Sequence, residues 1–150
     1  MLESSQMFKK NKKCFFGSFE EVTFSDFANM KTFAKIDTGA WNGALHATNI
    51  RENNGMLSFN LLGKPELSFT TSDFHRSSVT SASGHKDSRY LVKLNLRIRG
   101  KKYEIWIGLK NREKLSQEML IGRRFLLENN ILVDVSRNHR YSFEQLKDAD

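Results

Sequence analysis

The fold is decided by the stretch Phe33-Ala34-Lys35-Ile36-Asp37-Thr38-Gly39-Ala40. A short apolar run that ends at turn formers predicts a β-strand. Asp, Thr and Gly all favour turns, so this strand should run into a sharp turn with a carboxylate at its end. Asp-Thr-Gly alone is expected by chance in about 3% of chains of this length, so a plain turn is the alternative interpretation.

A second apolar strand ends at a Gly-Arg pair near the end of the sequence. It reads Met119-Leu120-Ile121-Gly122-Arg123. A short helix is predicted from Arg123 to about Glu128, because Asn129-Asn130 then supplies a stop signal. The apolar run Ile131–Val135 predicts one more strand after it.

The rest of the chain predicts mainly β-structure. In the segment Tyr90–Leu109, apolar and polar residues alternate with the period of a half-buried strand, and Gly100-Lys101 suits a tight hairpin turn. The remaining apolar or alternating runs are Thr32–Ile36, Ala44–Ile50, Met56–Leu62 and Leu67–Thr71.

The length of 150 residues fits one domain. We expect a basic tail at 1–14, a domain at 15–140 and an acidic tail at 141–150. Cys14 is the only cysteine, which excludes a disulfide framework. The sequence has neither a long apolar run nor an export signal, so we expect a cytoplasmic protein without a membrane span.

The net charge of +7 would attract an acidic protein, nucleic acid or an anionic surface. Much of the excess lies in the stretch Lys86–Lys102, where Lys93, Arg97 and Arg99 are candidate anion-binding residues. A solvated strand face is the plainer interpretation of this pattern. Aromatic side chains for base stacking are not interleaved on the polar face, so a nucleic-acid partner is not expected.

The two strand-and-turn motifs together resemble the retropepsin-like aspartic proteases. The stretches AKIDTGA, ALHA, LKNREKL, MLIGR and ILVDVS resemble more closely the bacterial family labelled ATP-dependent zinc protease, which is RimB-like and associated with RimK-type glutamate ligases. The resemblance runs from about Phe16 to Ser136. It implies a mainly β fold, a retropepsin-like closed barrel with one short C-terminal helix.

The zinc and ATP in that family label have no support in the residues. The sequence lacks a His-Glu-x-x-His motif, its histidines (His46, His75, His85 and His139) lie far apart, and Cys14 has no partner cysteine. It also lacks the glycine-rich phosphate loop that ends in Gly-Lys-Ser/Thr. We therefore expect neither a metal nor a cofactor.

The resemblance implies a homodimer, because one Asp-Thr-Gly supplies only one of the two carboxylates of an aspartic protease. Asp37 from each copy would be catalytic, with the turn supported by Thr38, Gly39, Ala40, Gly122 and Arg123. In such sites the threonine braces the turn across the dimer, and the glycine lets backbone amides approach the carboxylate. Gly122 would lie beside the turn, and Arg123 would fix either the helix start or the dimer contact.

Three residues near the motifs keep two interpretations each. Lys35 lies two positions before Asp37, so its ammonium group either favours the ionised carboxylate or turns outward into solvent. His46 either contacts the substrate or modulates a pKa, or it is a packed strand histidine. Trp106 either lines a groove or covers a sheet.

The polar segment 72–88 lies where retropepsins have the flap that covers the substrate. Ser81, Ala82, Ser83 and Gly84 would form its tip, and an ordinary surface loop is the alternative.

The functional prediction is an aspartic peptidase with a peptide or protein substrate, of acidic or glutamate-rich sequence. The alternative is a catalytically inactive barrel of the same fold that binds an acidic protein or RNA through its basic hairpin.

Overall fold

The structure is a computed structural model that describes residues 13–80, 83–84 and 86–138. Its strands are β1 (Cys14–Phe16), β2 (Phe19–Phe24), β3 (Met30–Ile36), β4 (Ala44–Asn53), β5 (Met56–Leu61), β6 (Ser68–Thr71), β7 (Phe74–Thr80), β8 (Lys86–Ile98), β9 (Lys101–Lys110), β10 (Met119–Ile121) and β11 (Ile131–Val133). The helix α1 spans Arg123–Glu128, and Pro65–Leu67 forms a 3-10 turn. Within the described ranges, no helix is long and apolar enough to cross a membrane.

Six of the strands close into a barrel. Antiparallel pairing joins β3 to β2, β2 to β8 and β8 to β9. The barrel closes through β9–β4 (parallel), β4–β10 (antiparallel) and β10–β3 (parallel). Closure matters because it pairs the backbone groups that a sheet edge would leave open. The expected mainly β, retropepsin-like barrel with one short helix is thereby confirmed.

The core of the barrel follows the alternation in the sequence. Val92, Leu94, Leu96 and Ile98 on β8 are all buried, and the first three face buried residues of β9 in register, for example Val92 with Ile107. Burying an aliphatic side chain of this size contributes about 1.5–3 kcal/mol, so these cross-strand pairs hold the two strands together.

The turn between β8 and β9 lies one residue earlier than predicted. It is Arg99-Gly100 rather than Gly100-Lys101, because β8 ends at Ile98 and β9 begins at Lys101. Both turn residues have positive φ, +52° and +77°, as a two-residue type I′ turn requires. The buried pairs on both sides fix this register, since a shift by one residue would turn every apolar side chain outward.

The segment 72–88, for which a plain loop was the alternative, contains the strand β7. Its residues pair with β8 from Phe74 opposite Val92 to Thr80 opposite Lys86. The loop interpretation is wrong for these residues, because backbone pairing to a neighbouring strand holds β7 although its sequence is polar. The result is a hairpin arm that extends beyond the barrel.

A small second sheet lies beside the barrel. Its strands β1 and β11 pair in parallel, and β1 begins at Cys14, the last residue of the predicted basic tail. Phe16 packs edge-on against Tyr103 of β9 at 6.2 Å and also against Phe125 of α1 at 6.4 Å. This aromatic cluster holds α1 against the barrel at the end of the barrel strand β10.

Candidate active site

Asp37 lies at the end of the barrel strand β3. The preceding Ile36 is buried and is paired in register with Ile121 of β10. The Asp37 backbone N–H donates a 2.8 Å hydrogen bond to the Ile121 carbonyl. The carboxyl group is thus placed at the rim of the barrel by two parallel strands, and the residue is half-buried there.

The Asp-Thr-Gly turn binds one carboxylate oxygen with its own backbone. Oδ1 of Asp37 accepts the N–H of Gly39 at 2.9 Å and that of Ala40 at 3.2 Å. A Cβ on Gly39 would stand 3.3 Å from that oxygen, which is the close amide approach that the resemblance implied. Thr38 and Gly39 are exposed, so this part of the turn is accessible in a single chain.

The segment that follows the turn crosses the end of β10 at two glycines. A Cβ on Gly122 would stand 2.5 Å from both the Gly43 nitrogen and the Trp41 oxygen. Gly43 has φ +72°, and a Cβ there would meet the Leu120 oxygen at 2.3 Å. Because backbone atoms occupy these positions, only glycine fits either one. These close contacts of Gly122 agree with the prediction that it lies beside the turn.

Arg123 ties the turn to the start of α1. Its backbone N–H donates to the Ala40 carbonyl at 2.6 Å, and its Nη1 donates to the Thr38 carbonyl at 3.3 Å. The guanidinium also lies over the Trp41 ring, 5.4 Å from its centre. Arg123 therefore fixes both the helix start and the turn; a role in a dimer contact stays a prediction.

Lys35 is exposed on β3. Among the described residues its side chain forms neither a hydrogen bond nor an ion pair with Asp37. The exposure of Lys35 fits the alternative interpretation, in which its ammonium group turns outward into solvent.

Arg112, which was not among the predicted site residues, lies in the loop after β9. Burial and the positive charge of Arg89 lower the pKa of Arg112, and the Asp37 carboxylate opposes that shift. The charges of Arg89 and Asp37 therefore both act on Arg112. The weak signals in the sequence were the motif LKNREKL for Arg112 and the basic stretch Lys86–Lys102 for Arg89.

His46 holds the loop that carries Arg112. The imidazole is buried, with 7% of its surface exposed, and its Nδ1 accepts the Arg112 backbone N–H at 2.8 Å. This bond assigns the proton of the neutral ring to Nε2. The Arg112 Nε in turn donates to the Gln117 carbonyl at 2.9 Å. His46 therefore fits the second interpretation, a packed strand histidine, and its imidazole holds the backbone of Arg112.

The β7–β8 hairpin is the arm expected for a flap. Ser83 and Gly84 lie exposed in its turn, whereas Ser81 and Ala82 lie outside the described residues, so the flap stays a prediction. Arg76 on β7 anchors the base of the arm through an ion pair with Glu52 of β4. The hydrogen bond from Arg76 lowers the pKa of the Glu52 carboxyl group.

Trp106 covers a sheet rather than lining a groove. Its ring stacks on His75 with 4.7 Å between the ring centres. The contact joins β9 to β7 across β8 and stiffens the outer face of the arm.

Two of the three candidate anion-binding residues already have acidic partners. Lys93 pairs with Glu104 at 3.3 Å, and Arg99 pairs with the buried Glu20 at 3.4 Å. Arg97 is exposed opposite Lys102. The positive charge of this stretch is therefore partly neutralised within the fold, and anion binding by these three residues stays a prediction.

Within residues 13–80, 83–84 and 86–138, no three His, Cys, Asp or Glu side chains form a cluster that could hold a metal ion. His85 and His139 lie outside the described residues.

The chain is similar to proteins that carry the name of a ligase. Proteins named "Probable alpha-L-glutamate ligase" from Shewanella pealeana and Shewanella halifaxensis are 28% identical to it over 143 and 137 residues, covering 85% of this chain and 30% of each relative. One of the same name from Desulfotalea psychrophila is 23% identical over 131 residues. The chain thus spans less than a third of the length of these relatives.

A solved structure and a family model match most of the chain. A Legionella pneumophila protein of unknown function superposes with a TM-score of 0.66 at 28% identity, over 82% of this chain and 94% of that one. The model of the retropepsin-like aspartic endopeptidase RimB matches residues 15–144. With the Asp-Thr-Gly turn at the rim of a closed barrel, this match shows that the chain belongs to the RimB-like family of retropepsin-like aspartic endopeptidases.

Proposed function

We propose that this chain is an aspartic peptidase that hydrolyses acidic, glutamate-rich peptides as a homodimer. The observation that carries the proposal is the Asp37 carboxylate, which is fixed at the barrel rim through Oδ1 by the Gly39 and Ala40 amides. Within the described residues no hydrogen bond is made by its other oxygen. That oxygen is available to a water molecule or to a second carboxyl group.

The chemistry follows from placing two such carboxyl groups together. Two adjacent carboxylates resist ionising together, so the pair shares one proton. The ionised member takes a proton from water as the water oxygen attacks the peptide carbonyl, and the protonated member donates a hydrogen bond to the carbonyl oxygen. Proton transfer to the leaving nitrogen then completes hydrolysis.

A second copy of the chain is the proposed source of the second carboxyl group. The tip of the turn, Thr38 and Gly39, is exposed in one chain, and Trp41 beside it is 49% exposed. An apolar ring next to an uncovered turn favours contact with another protein surface. In a two-fold dimer the same patch serves both partners, so the two turns would meet at the axis.

The proposed preference for acidic substrates is based on the net positive charge of the chain and on the names of its relatives. The chain has a net charge of +7, which raises the local concentration of an acidic peptide. Relatives that contain a similar segment carry the name of an alpha-L-glutamate ligase. A peptidase that accompanies such a ligase would meet peptides rich in glutamate.

Peptide cleavage by wild type and Asp37→Asn tests the proposal. Mass spectrometry should detect products from a glutamate-tailed peptide with wild-type protein, and the variant should release fewer by at least a hundredfold, because an amide cannot act as the base. Sedimentation at micromolar concentrations measures the assembly. Equal cleavage by both proteins, or full activity in a strictly monomeric protein, would contradict the paired-aspartate mechanism.

The same experiment separates the peptidase from the alternative of an inactive binding barrel. An inactive barrel would bind an acidic peptide equally well with Asp37→Asn, would release no products, and would lose binding steeply as salt rises.

A further inference from the structure

Arg89 lies in a cavity beside the Asp37 turn. The cavity has a volume of about 320 Å³, and Ala40, Trp41 and Gly43 from the segment after Asp37 line it together with Arg89 from β8. This volume is at the lower end of the range for small-molecule sites. It would admit one amino-acid side chain rather than a large ligand.

The Arg89 side chain, which lines that cavity, has one unused donor. Its Nε is buried and has no hydrogen-bond partner among the described residues. The oxygen of Asn42, which also lines the cavity, accepts instead from Arg124 at 3.3 Å. A buried donor without an acceptor is unfavourable, so an arriving acceptor would be favoured there.

The charges around Arg89 also favour an anion. Among the described residues that line its cavity, none is acidic. No lining residue therefore balances the positive charge of Arg89, and an incoming anion would supply that balance.

We propose that Arg89 forms a carboxylate-binding subsite that positions an acidic substrate next to Asp37. A guanidinium binds a carboxylate through two parallel N–H donors, which fixes the orientation as well as supplying charge. The subsite rests on the proposed peptidase function for its biological role, but its binding property is independent of catalysis. The carboxylate comes either from a glutamate side chain or from the free C-terminus of the substrate.

Binding by an inactive protein tests the subsite on its own. In the Asp37→Asn background with Trp106→Phe, which leaves Trp41 as the one tryptophan, fluorescence would be titrated with acetyl-Glu-Glu-Glu-amide and with acetyl-Gln-Gln-Gln-amide. The glutamate peptide should bind at least tenfold more tightly, and adding Arg89→Met should abolish the difference. Arg89→Lys should retain part of it, since lysine keeps the charge but loses the planar fork.

Arg51→Met is the matched control, because Arg51 is exposed on β4 and its loss changes the net charge equally. Arg51→Met should change the ratio of the two peptide affinities by less than about twofold. Circular dichroism and thermal melting establish that Arg89→Met is folded. Equal binding of this amidated glutamate peptide with and without Arg89 would exclude the glutamate side chain as the ligand and leave only the free C-terminus, which the next two peptides test. Equal losses for Arg89→Met and Arg51→Met with every peptide would overturn the proposal.

The source of the carboxylate is distinguished by two further peptides. A Gln peptide with a free C-terminus and a Glu peptide with a C-terminal amide would each be compared in the presence and absence of Arg89. Dependence on Arg89 for the first peptide assigns the subsite to the chain end, and dependence for the second assigns it to the side chain. If Arg89 affects neither, the proposal is wrong.

Cleavage by proteins with Asp37 intact links the subsite to the reaction. Arg89→Met should lower kcat/KM on the glutamate peptide about 10- to 100-fold and change that on the glutamine peptide less than about threefold. If the wild-type protein binds glutamate peptides selectively through Arg89 but cleaves none of them, the proposed subsite is supported and the proposed peptidase function is wrong.

Discussion

Gly122→Ala tests the backbone crossing that holds the Asp37 turn against β10. Gly122 has φ −90°, which any residue adopts, so the effect of the substitution is steric only. The new Cβ would stand 2.5 Å from Gly43 nitrogen and Trp41 oxygen and 2.8 Å from Ala40 oxygen. All three are backbone atoms. To reach the shortest contacts that real Cβ atoms make, the first two must move by about half an ångström and the Ala40 oxygen by about 0.2 Å.

Strain of this kind is expected to destabilise the fold by about 3 kcal/mol, the upper end of the range for overpacked sites. For a chain of this length that corresponds to a fall in Tm of about 10 °C. The movement also displaces the turn, so peptide hydrolysis should fall at temperatures where the variant is still folded. Differential scanning calorimetry and a cleavage assay at about 20 °C, well below the expected melting range, measure the two effects.

Gly100→Ala is the control for a glycine with open space around it. Gly100 has φ +77°, and a Cβ at this position would have no atom within 4 Å, so only left-handed backbone strain of about 1–2 kcal/mol is expected. It lies at the far turn between β8 and β9 and should leave hydrolysis unchanged. If Gly122→Ala lowers Tm no more than Gly100→Ala does, the crossing is not as tight as described.

Three further predictions concern buried polar groups. Glu20→Ala should destabilise the fold by about 2–3 kcal/mol in urea unfolding, because its buried carboxylate accepts the Gly17 N–H at 2.7 Å and also pairs with Arg99; unchanged stability would contradict this anchoring role. Burial raises the pKa of Tyr103 to about 12 from 10.0, so its contribution to stability is complete below pH 10 and is lost as pH rises to 12. Between about pH 9 and pH 11, the unfolding free energy of Tyr103→Phe should therefore fall less than that of the wild type. An equal fall in both proteins would be contrary to the prediction. His46→Phe leaves the Arg112 N–H without its acceptor and should reduce stability by about 1–3 kcal/mol in urea unfolding. An unfolding free energy equal to that of the wild type would contradict this role of the imidazole.

The sequence predicts the elements whose side chains alternate or whose turn residues are specific. The strand before Asp37, the strand and helix around Gly122, and the alternation in β8 were predictable because burial imposes a period on the residues. β7 was not, since its mostly polar side chains carry no such period, and pairing with β8 together with side-chain contacts such as the Arg76–Glu52 ion pair holds it. β2 was missed as well, although Val22 and Phe24 are buried, because the acidic pair before Val22 obscures the pattern.

The convergence of Asp37, Arg89 and Arg112 could not be predicted from the sequence. These residues are separated by 52 and 23 positions, and they come together only because β8, β9 and β3 belong to one closed barrel. Arginines in a basic stretch carry no periodic signal that distinguishes a solvated one from one that faces a site. Their role becomes visible only when the partners of each charge are known.

The distribution of those partners explains why the net charge alone is a poor guide to the binding surface. Lys93 and Arg99, the obvious candidates on the basic hairpin, are paired with Glu104 and Glu20, so their charge is largely used within the fold. Arg89 has a buried donor with no acceptor among the described residues. A charge that the fold neutralises adds little attraction for a ligand, whereas a cation held close to a second cation stays unfavourable until an anion arrives. Substrate recognition should therefore depend on Arg89 more than on the candidate anion-binding residues Lys93, Arg97 and Arg99, although these three contribute more positive charges.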